Sequence, residues 1–277
     1  MSMKALLKDL VPPILLRWRH KREQLPAQVL VPRVHKVVGG PLQGHALLVD
    51  TTRPAFQEMV EGRYDEYIFS ALPEQLDGGL VLDVGAHIGY HSLCFAALYP
   101  TCQVVAFEPN QANQERFKKN LELCPSLRER VRLMGTALGD RAGMVEFRAS
   151  DQVDDQTSSG GYLGAVAPPL DAAIYERSGF QRSQVELNVL DQLALQDGWE
   201  RIRLIKIDVE GAEHLVIAGA LATLARWRPI LMIEIHSAVC MLKVLEFLHP
   251  LQYTVAVLHE DRPGRCFIQA LPAPPKV

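Results

Sequence analysis

The stretch Val81–Tyr90, VLDVGAHIGY, limits the folds open to this chain more than any other segment. Leu80, Val81 and Leu82 make an apolar run of strand type, Asp83 follows, and Gly85 and Gly89 punctuate a turn that opens a helix. A second apolar run, QVVAF at 103–107, leads to the acid Glu108. Strand, glycine turn, helix and an acid at the tip of the next strand is the unit with which α/β proteins hold an adenosine-type cofactor. The glycines let the backbone approach a ligand without a Cβ in the way. The acid can accept hydrogen bonds from both ribose hydroxyls.

From residue 80 strands and helices alternate. Strands are predicted at 80–84, 103–107, 131–134, 185–190, 202–208, 230–236, 253–258 and 266–270. Helices are predicted at 89–98, 111–123, 211–225 and 238–248, with a short one starting at Asp191. Such alternation implies a parallel sheet with helices on both faces. The turn signal EDRPG separates the last two strands, so the sheet ends in an antiparallel hairpin rather than the parallel edge of an NAD-binding sheet. Gly139–Gly143 followed by MVEFRA suggests a hairpin or an added strand. Residues 150–180 are polar, then rich in glycine and proline, and lack periodicity; a loop of this length inside a domain is a candidate lid.

Residues 1–75 precede this domain, which is taken as 76–277. Lys4, Lys8, Arg17, Arg19, Lys21 and Arg22 are interleaved with leucines and Trp18. This basic segment reads either as an amphipathic helix packed on its own domain or on a second subunit, or as a peripheral membrane contact through residues 1–25. Residues 29–51 read as β-structure with glycine turns, and Pro54–Leu72 has helical spacing that Gly62 interrupts. A net charge of -3 gives no global electrostatic case for nucleic acid. Five scattered cysteines without a CxxC pair point to free thiols and a reducing cytoplasm. No apolar run approaches the ~20 residues of a membrane span.

Three pieces stand in order: DVGAHIGY with EPN (108–110), LIKIDVEGAEHLVIAGA (204–220) and ILMIEIH (230–236). Together they resemble the FkbM family of S-adenosylmethionine-dependent O-methyltransferases. The resemblance covers residues 80–240, and KIDVEGAE is its most specific part; DxGxxxG alone fits all Rossmann-like methyltransferases. It implies an α/β, Rossmann-like class I methyltransferase fold: a seven-stranded doubly wound sheet with a terminal antiparallel hairpin, here with an N-terminal extension. It also implies S-adenosylmethionine as donor, S-adenosylhomocysteine as product, and as acceptor a hydroxyl of a sugar, glycan or other natural product.

The residues point to the same donor. The turn is Gly85-x-x-x-Gly89, not the GxGxxG of dinucleotide binding. A pyrophosphate seeks a helix N-terminus as its anion site, and Asp83 would be a poor neighbour for it. Asp83 suits an ammonium or sulfonium, directly or through water, or else it caps the turn. Cofactor contacts are expected from Asp83, Gly85, Ala86, Gly89, Glu108, Pro109, Asn110, Thr136, Ala137 and Asp208. Glu108 is assigned to the ribose and Gly135–Ala137 to the adenine. Asn110 either caps the next helix or touches the adenosine.

Lys206, Asp208 and Glu210 alternate, so a straight strand puts them on one face. Glu234 and His236 hold the same kind of position on the next strand. Lys206 lies deep in an apolar strand and needs a partner such as Asp208 or Glu234. The expected catalytic group is therefore His236, Asp208, Glu210, Glu234 and Lys206, with His236 as the base whose intrinsic pKa best suits neutrality. Glu213 reads as a favourable first-turn charge of the following helix. Asp208, Glu210 and Glu234 have oxygens for Mg²⁺, but Lys206 already supplies a counter-charge, so no metal is expected. His87 and His91 are expected in the pocket lining or on the surface, and Tyr64 and Tyr67 in the core. Two other functions stay open: an NAD-dependent oxidoreductase, and a non-catalytic S-adenosylmethionine-binding protein.

Overall fold

The structure is a computed structural model that describes residues 31–149, 161–164, 166, 181–262 and 264–274. The basic segment 1–25 and most of the candidate lid at 150–180 lie outside the described residues. Contacts divide the chain into two units, Met1–Val31 and Pro32–Val277, and the second carries the described helices and strands.

It begins with β1 (Arg33–Lys36), β2 (Ala46–Val49), α1 (Pro54–Glu61) and α2 (Glu66–Ser70). Then come β3 (Gly79–Val84), α3 (Tyr90–Leu98), β4 (Cys102–Phe107), α4 (Gln111–Glu122), α5 (Pro125–Arg128) and β5 (Val131–Met134). An intervening set is next: β6 (Ala137–Leu138), β7 (Gly143–Ala149), β8 (Tyr162–Leu163), β9 (Gln181–Asn188) and α6 (Leu190–Gln196). The chain continues through β10 (Ile202–Ile207), α7 (Glu213–Ala218), α8 (Leu221–Trp227), β11 (Ile230–Ile235) and α9 (Ala238–Leu248). It closes with β12 (Tyr253–Arg262) and β13 (Arg265–Pro272).

Seven strands form the main sheet in the order β12-β13-β11-β10-β3-β4-β5. Neighbours pair in parallel from β11 through β5, whereas β13 runs antiparallel to both β11 and β12. The closing hairpin expected from the EDRPG turn is therefore present, with its second strand inserted between β11 and β12. Strand order reverses between β3 and β10, and open α/β sheets bind ligands outside the strand ends at such a point.

Successive residues of a strand point to opposite faces. Val81, Val104, Leu204 and Met232 join one apolar cluster, and Leu82, Val105, Ile205 and Ile233 join the other. Asp83 and Lys206 are paired in register on adjacent strands, so they share the first face near the carboxyl ends. That first cluster also takes in Val37, Leu47, Phe56, Met59 and Ile68, so residues 37–68 share a core with β3 and β4.

Three local outcomes differ from the simple alternation. The strand foreseen at 185–190 spans Gln181–Asn188 and belongs to a separate four-stranded sheet, ordered β6-β9-β7-β8. The single helix foreseen at 211–225 is two, α7 and α8, separated at Gly219, where a Cβ would lie 2.0 Å from the Gly139 carbonyl oxygen. The helical run 54–72 breaks at Gly62, which caps α1 with φ 76. Four cysteines are buried and free, and Cys266 is half-buried and free. Among the described residues no helix is long and apolar enough to cross a membrane.

Candidate active site

A cavity opens at the carboxyl ends of β3, β4 and β10, with about 860 Å³ of empty space including its mouth. One wall is the turn Gly85–Ala86–His87, the next is Phe107–Glu108–Pro109, and the third is Thr136–Ala137–Leu138. Lys206, Asp208, Val209 and Glu210 form the opposite side. Met59, Tyr64, Tyr90, His91, Phe147 and Leu163 complete it.

The turn holds β3 tightly against β10. A Cβ on Gly85, whose φ is 82, would lie 1.8 Å from the Asp208 carbonyl oxygen, so no other residue fits without displacing that strand end. Its N–H groups are already satisfied inside the protein. Gly85 and Ala86 both donate to the Phe107 carbonyl, Gly89 donates to Ala86, and His87 donates to Glu108 Oε2 at 2.8 Å. Glu108 also accepts from the Asn110 N–H at 2.9 Å and from Asn113 Nδ2 at 3.3 Å. Burial pushes the Glu108 carboxyl up to about 7, against these three donors and the charge of Lys206.

Several predicted contacts lie elsewhere. Gly89 stands outside the cavity lining and caps α3, where a Cβ would meet the Phe117 ring at 2.9 Å. Asn110 caps α4, its side chain accepting from Ala112 N at 2.9 Å. Asp83 is fully buried and does not reach the cavity; its carboxylate accepts from Ser92 Oγ at 2.5 Å and lies 3.5 Å from Lys206 Nζ. Thr136 lines the cavity, but its hydroxyl is held by the Glu186 carbonyl at 2.8 Å and by Asn188 Nδ2 at 3.0 Å.

The five ionisable residues expected at the strand ends do come together. Lys206 Nζ lies 3.3 Å from Asp208 Oδ2 and 3.2 Å from the Gly85 carbonyl. Burial works against the Lys206 charge, but Asp208 and Asp83 outweigh it and hold the amine above its ordinary value. Burial likewise opposes ionisation of Asp208, and Lys206, His236 and Arg265 outweigh it, so its carboxyl sits well below the usual range. Burial and the charge of Asp208 push Glu234 up, against His236 and Arg265.

His236 is not part of the cavity wall. Its Nδ1 meets Glu213 Oε1 at 2.6 Å, and its Nε2 lies 3.3 Å from Glu210 Oε2. Burial lowers a histidine pKa, but Glu210 and Glu213 outweigh it and hold His236 well above its ordinary value. Both carboxylates favour its protonated form. Glu213, read from sequence as a helix-start charge, is a fully buried partner of this imidazole. Arg265 was missed: it reaches Glu234 Oε1 at 2.5–2.6 Å from the first residue of β13. Tyr64, His87 and His91 also line the cavity, and burial draws His87 down to about 4, which leaves it neutral. No simple spacing marks Arg265 or Glu213, though an arginine opening the strand beside β11 is a usable hint.

Residues 83–255 match the Methyltransferase FkbM domain. The chain belongs to the FkbM methyltransferase family. Among curated proteins it is similar to the 2-O-methyltransferase NoeI of Sinorhizobium fredii, 32% identical over 151 residues, or 54% of this chain and 60% of NoeI. It is also similar to the AMB antimetabolite synthetase AmbE of Pseudomonas aeruginosa, 30% identical over 235 residues, 76% of this chain but 10% of AmbE. The chain thus spans less than two thirds of either relative. An FkbM methyltransferase structure from Methylobacillus flagellatus shares the fold, with a TM-score of 0.53 and 16% identity over 73% of this chain and 45% of that one. Family and sheet order together make this a Rossmann-like class I methyltransferase fold.

Proposed function

We propose that this chain is an S-adenosylmethionine-dependent O-methyltransferase acting on a hydroxyl of a sugar, glycan or other natural product. The observation that carries the reading is one cavity with two chemically distinct sides: the Gly85 turn with Glu108, and the Lys206–Asp208–Glu210 strand end. The residues fit the donor. Glu108 presents a buried carboxylate suited to a ribose diol, between Phe107 and the Thr136–Leu138 segment as a slot for adenine. When bound, the donor supplies an electrophilic methyl group on a sulfonium. The name of NoeI, a 2-O-methyltransferase, favours a hydroxyl acceptor.

Asp208 and Glu210 line the acceptor side and are suited to accept the hydroxyl hydrogen bond and aim its oxygen. Lys206 fixes Asp208 from below while Asp83 anchors Lys206. His236 is a positioning residue in this reading, holding Glu210 and Asp208, and the leaving proton goes to Glu210. The NAD alternative is disfavoured because the turn N–H groups that would meet a pyrophosphate are bonded to Phe107, Ala86 and Glu108. Equilibrium dialysis with labelled S-adenosylmethionine and labelled NAD tests the donor. Retention of the first alone supports the reading; retention of NAD alone, or of neither, rejects it.

A further inference from the structure

Beside the acceptor end of the cavity, carboxylates outnumber cations. Asp83, Asp208, Glu210, Glu213 and Glu234 cluster around Lys206, Arg265 and His236. The two permanent cations, Lys206 and Arg265, do not balance these five carboxylates. Lys206 serves Asp83 and the Oδ2 of Asp208. Arg265 approaches Glu234 Oε1 from its far side, so that this oxygen is shared between Arg265 and the inner side, and Arg265 also lies 4.0 Å from Glu210 Oε1. Asp208 Oδ1 and Glu210 Oε2 face the other way, towards His236.

That inner side holds two polar atoms without a well-formed hydrogen bond, His236 Nε2 and Glu210 Oε2. Both residues are more than nine-tenths buried, at 8% and 6% exposure. A buried polar atom without a hydrogen bond is costly, and a bound ion is one way to satisfy it. From His236 Nε2 the distances are 3.3 Å to Glu210 Oε2, 3.8 Å to Glu234 Oε1 and 3.9 Å to Asp208 Oδ1. The ligand atoms of Asp208, Glu234 and His236 all lie within 4.8 Å of one another. Ligands sharing a centre at roughly 2.1–2.3 Å stand about 3–4.5 Å apart, a range that holds the three distances from Nε2.

We propose that Asp208, Glu234 and His236, with Glu210 as a fourth arm, bind one hard divalent cation, Mg²⁺ or Mn²⁺. Three oxygens and one imidazole suit such an ion better than a soft one. The ion takes the place of the Nε2 proton of His236, which leaves to solvent. The Lys206 counter-charge that argued against a metal from sequence lies on the opposite oxygen of Asp208. The catalytic use of the ion rests on the methyltransferase reading. Asp208 and Glu210 also line the cavity, so open positions on the ion would face the acceptor. There it would draw in one hydroxyl, or two neighbouring ones as on a sugar, and favour loss of a proton.

The test is Mn²⁺ titration of the chelator-treated full chain, read by the electron paramagnetic resonance signal of free Mn²⁺, with Mg²⁺ as competitor. S-adenosylmethionine dialysis and thermal unfolding are run on the same samples. One saturable equivalent, displaced by Mg²⁺ and weakened at least about tenfold by Glu234→Gln and by His236→Asn, is expected. Should His236→Asn fail to fold, Glu234→Gln carries the comparison. Linear uptake through the millimolar range in wild type overturns the site, as does unchanged Mn²⁺ affinity in a folded Glu234→Gln protein. Donor binding without Mn²⁺ binding refutes the ion site alone. Mn²⁺ binding without donor binding supports the ion site and refutes the methyltransferase reading.

Discussion

Lys206→Met isolates the charge pair that joins the two halves of the site. Lys206 is 1% exposed and Asp83 is fully buried, with Nζ 3.5 Å from Asp83 Oδ1 and 3.3 Å from Asp208 Oδ2. At an effective dielectric of about 20, each contact is worth roughly 5 kcal/mol before desolvation of the amine is subtracted. The variant leaves Asp83 with the Ser92 hydroxyl and Asp208 without its nearest cation. Removing one member of a buried pair costs about 3–5 kcal/mol, which for a chain of this size lowers Tm by roughly 6–20 °C. Asp208 is held below its unfolded value, so its contribution is present above the ordinary Asp range and lost as pH falls through the folded value. Urea denaturation of Lys206→Met should therefore show a large loss at neutral pH and a shallower fall towards acid than wild type. Adding Asp83→Asn should recover part of the loss by removing the orphaned charge. A loss below about 1 kcal/mol, or no recovery in the double variant, would refute this charge balance.

Glu108→Gln should weaken S-adenosylmethionine binding by about tenfold or more in calorimetry, since an amide offers one oxygen where a carboxylate offers two. Because burial raises the Glu108 carboxyl to about 7, wild-type donor affinity should fall with acid, by about tenfold between pH 8 and 6, and Glu108→Gln should flatten that profile. Gly85→Ala should abolish donor binding or prevent folding, given the 1.8 Å approach to Asp208, as judged by circular dichroism and dialysis. Glu213→Gln should lower turnover more than donor affinity in initial-rate and dialysis measurements, because Glu213 holds the His236 ring from behind at 2.6 Å.

The main sheet is legible because its strands are apolar on both faces and are separated by glycine, proline and polar turns. The runs around Leu82, Val105, Ile205 and Ile233 announce themselves in that way. The second sheet is less so. Gln181–Asn188 is a polar, half-exposed strand, and its pattern says nothing about which sheet it joins. Glu108 and the Lys206–Asp208–Glu210 set were readable from strand-end position, although β10 stops at Ile207 and Glu210 adopts φ 52 in the turn beyond. His236 was readable as a member of the site, but the two carboxylates that favour its charged form were not. Its state depends on Glu210 and Glu213, and whether a helix-start glutamate faces water or a buried ring is decided by packing. The same holds for Arg265, which only the antiparallel pairing of β13 with β11 brings to Glu234.

Methyl transfer itself is the decisive observation. The chain is incubated with methyl-tritiated S-adenosylmethionine and a panel of sugars, glycans and hydroxylated natural products, and the products are read by scintillation and mass spectrometry. Label is expected in an acceptor that has gained the mass of one CH₂, with transfer sharply reduced in Asp208→Asn. Donor that stays unconsumed across the panel, or transfer that proceeds at the wild-type rate in Asp208→Asn, would contradict the proposed function.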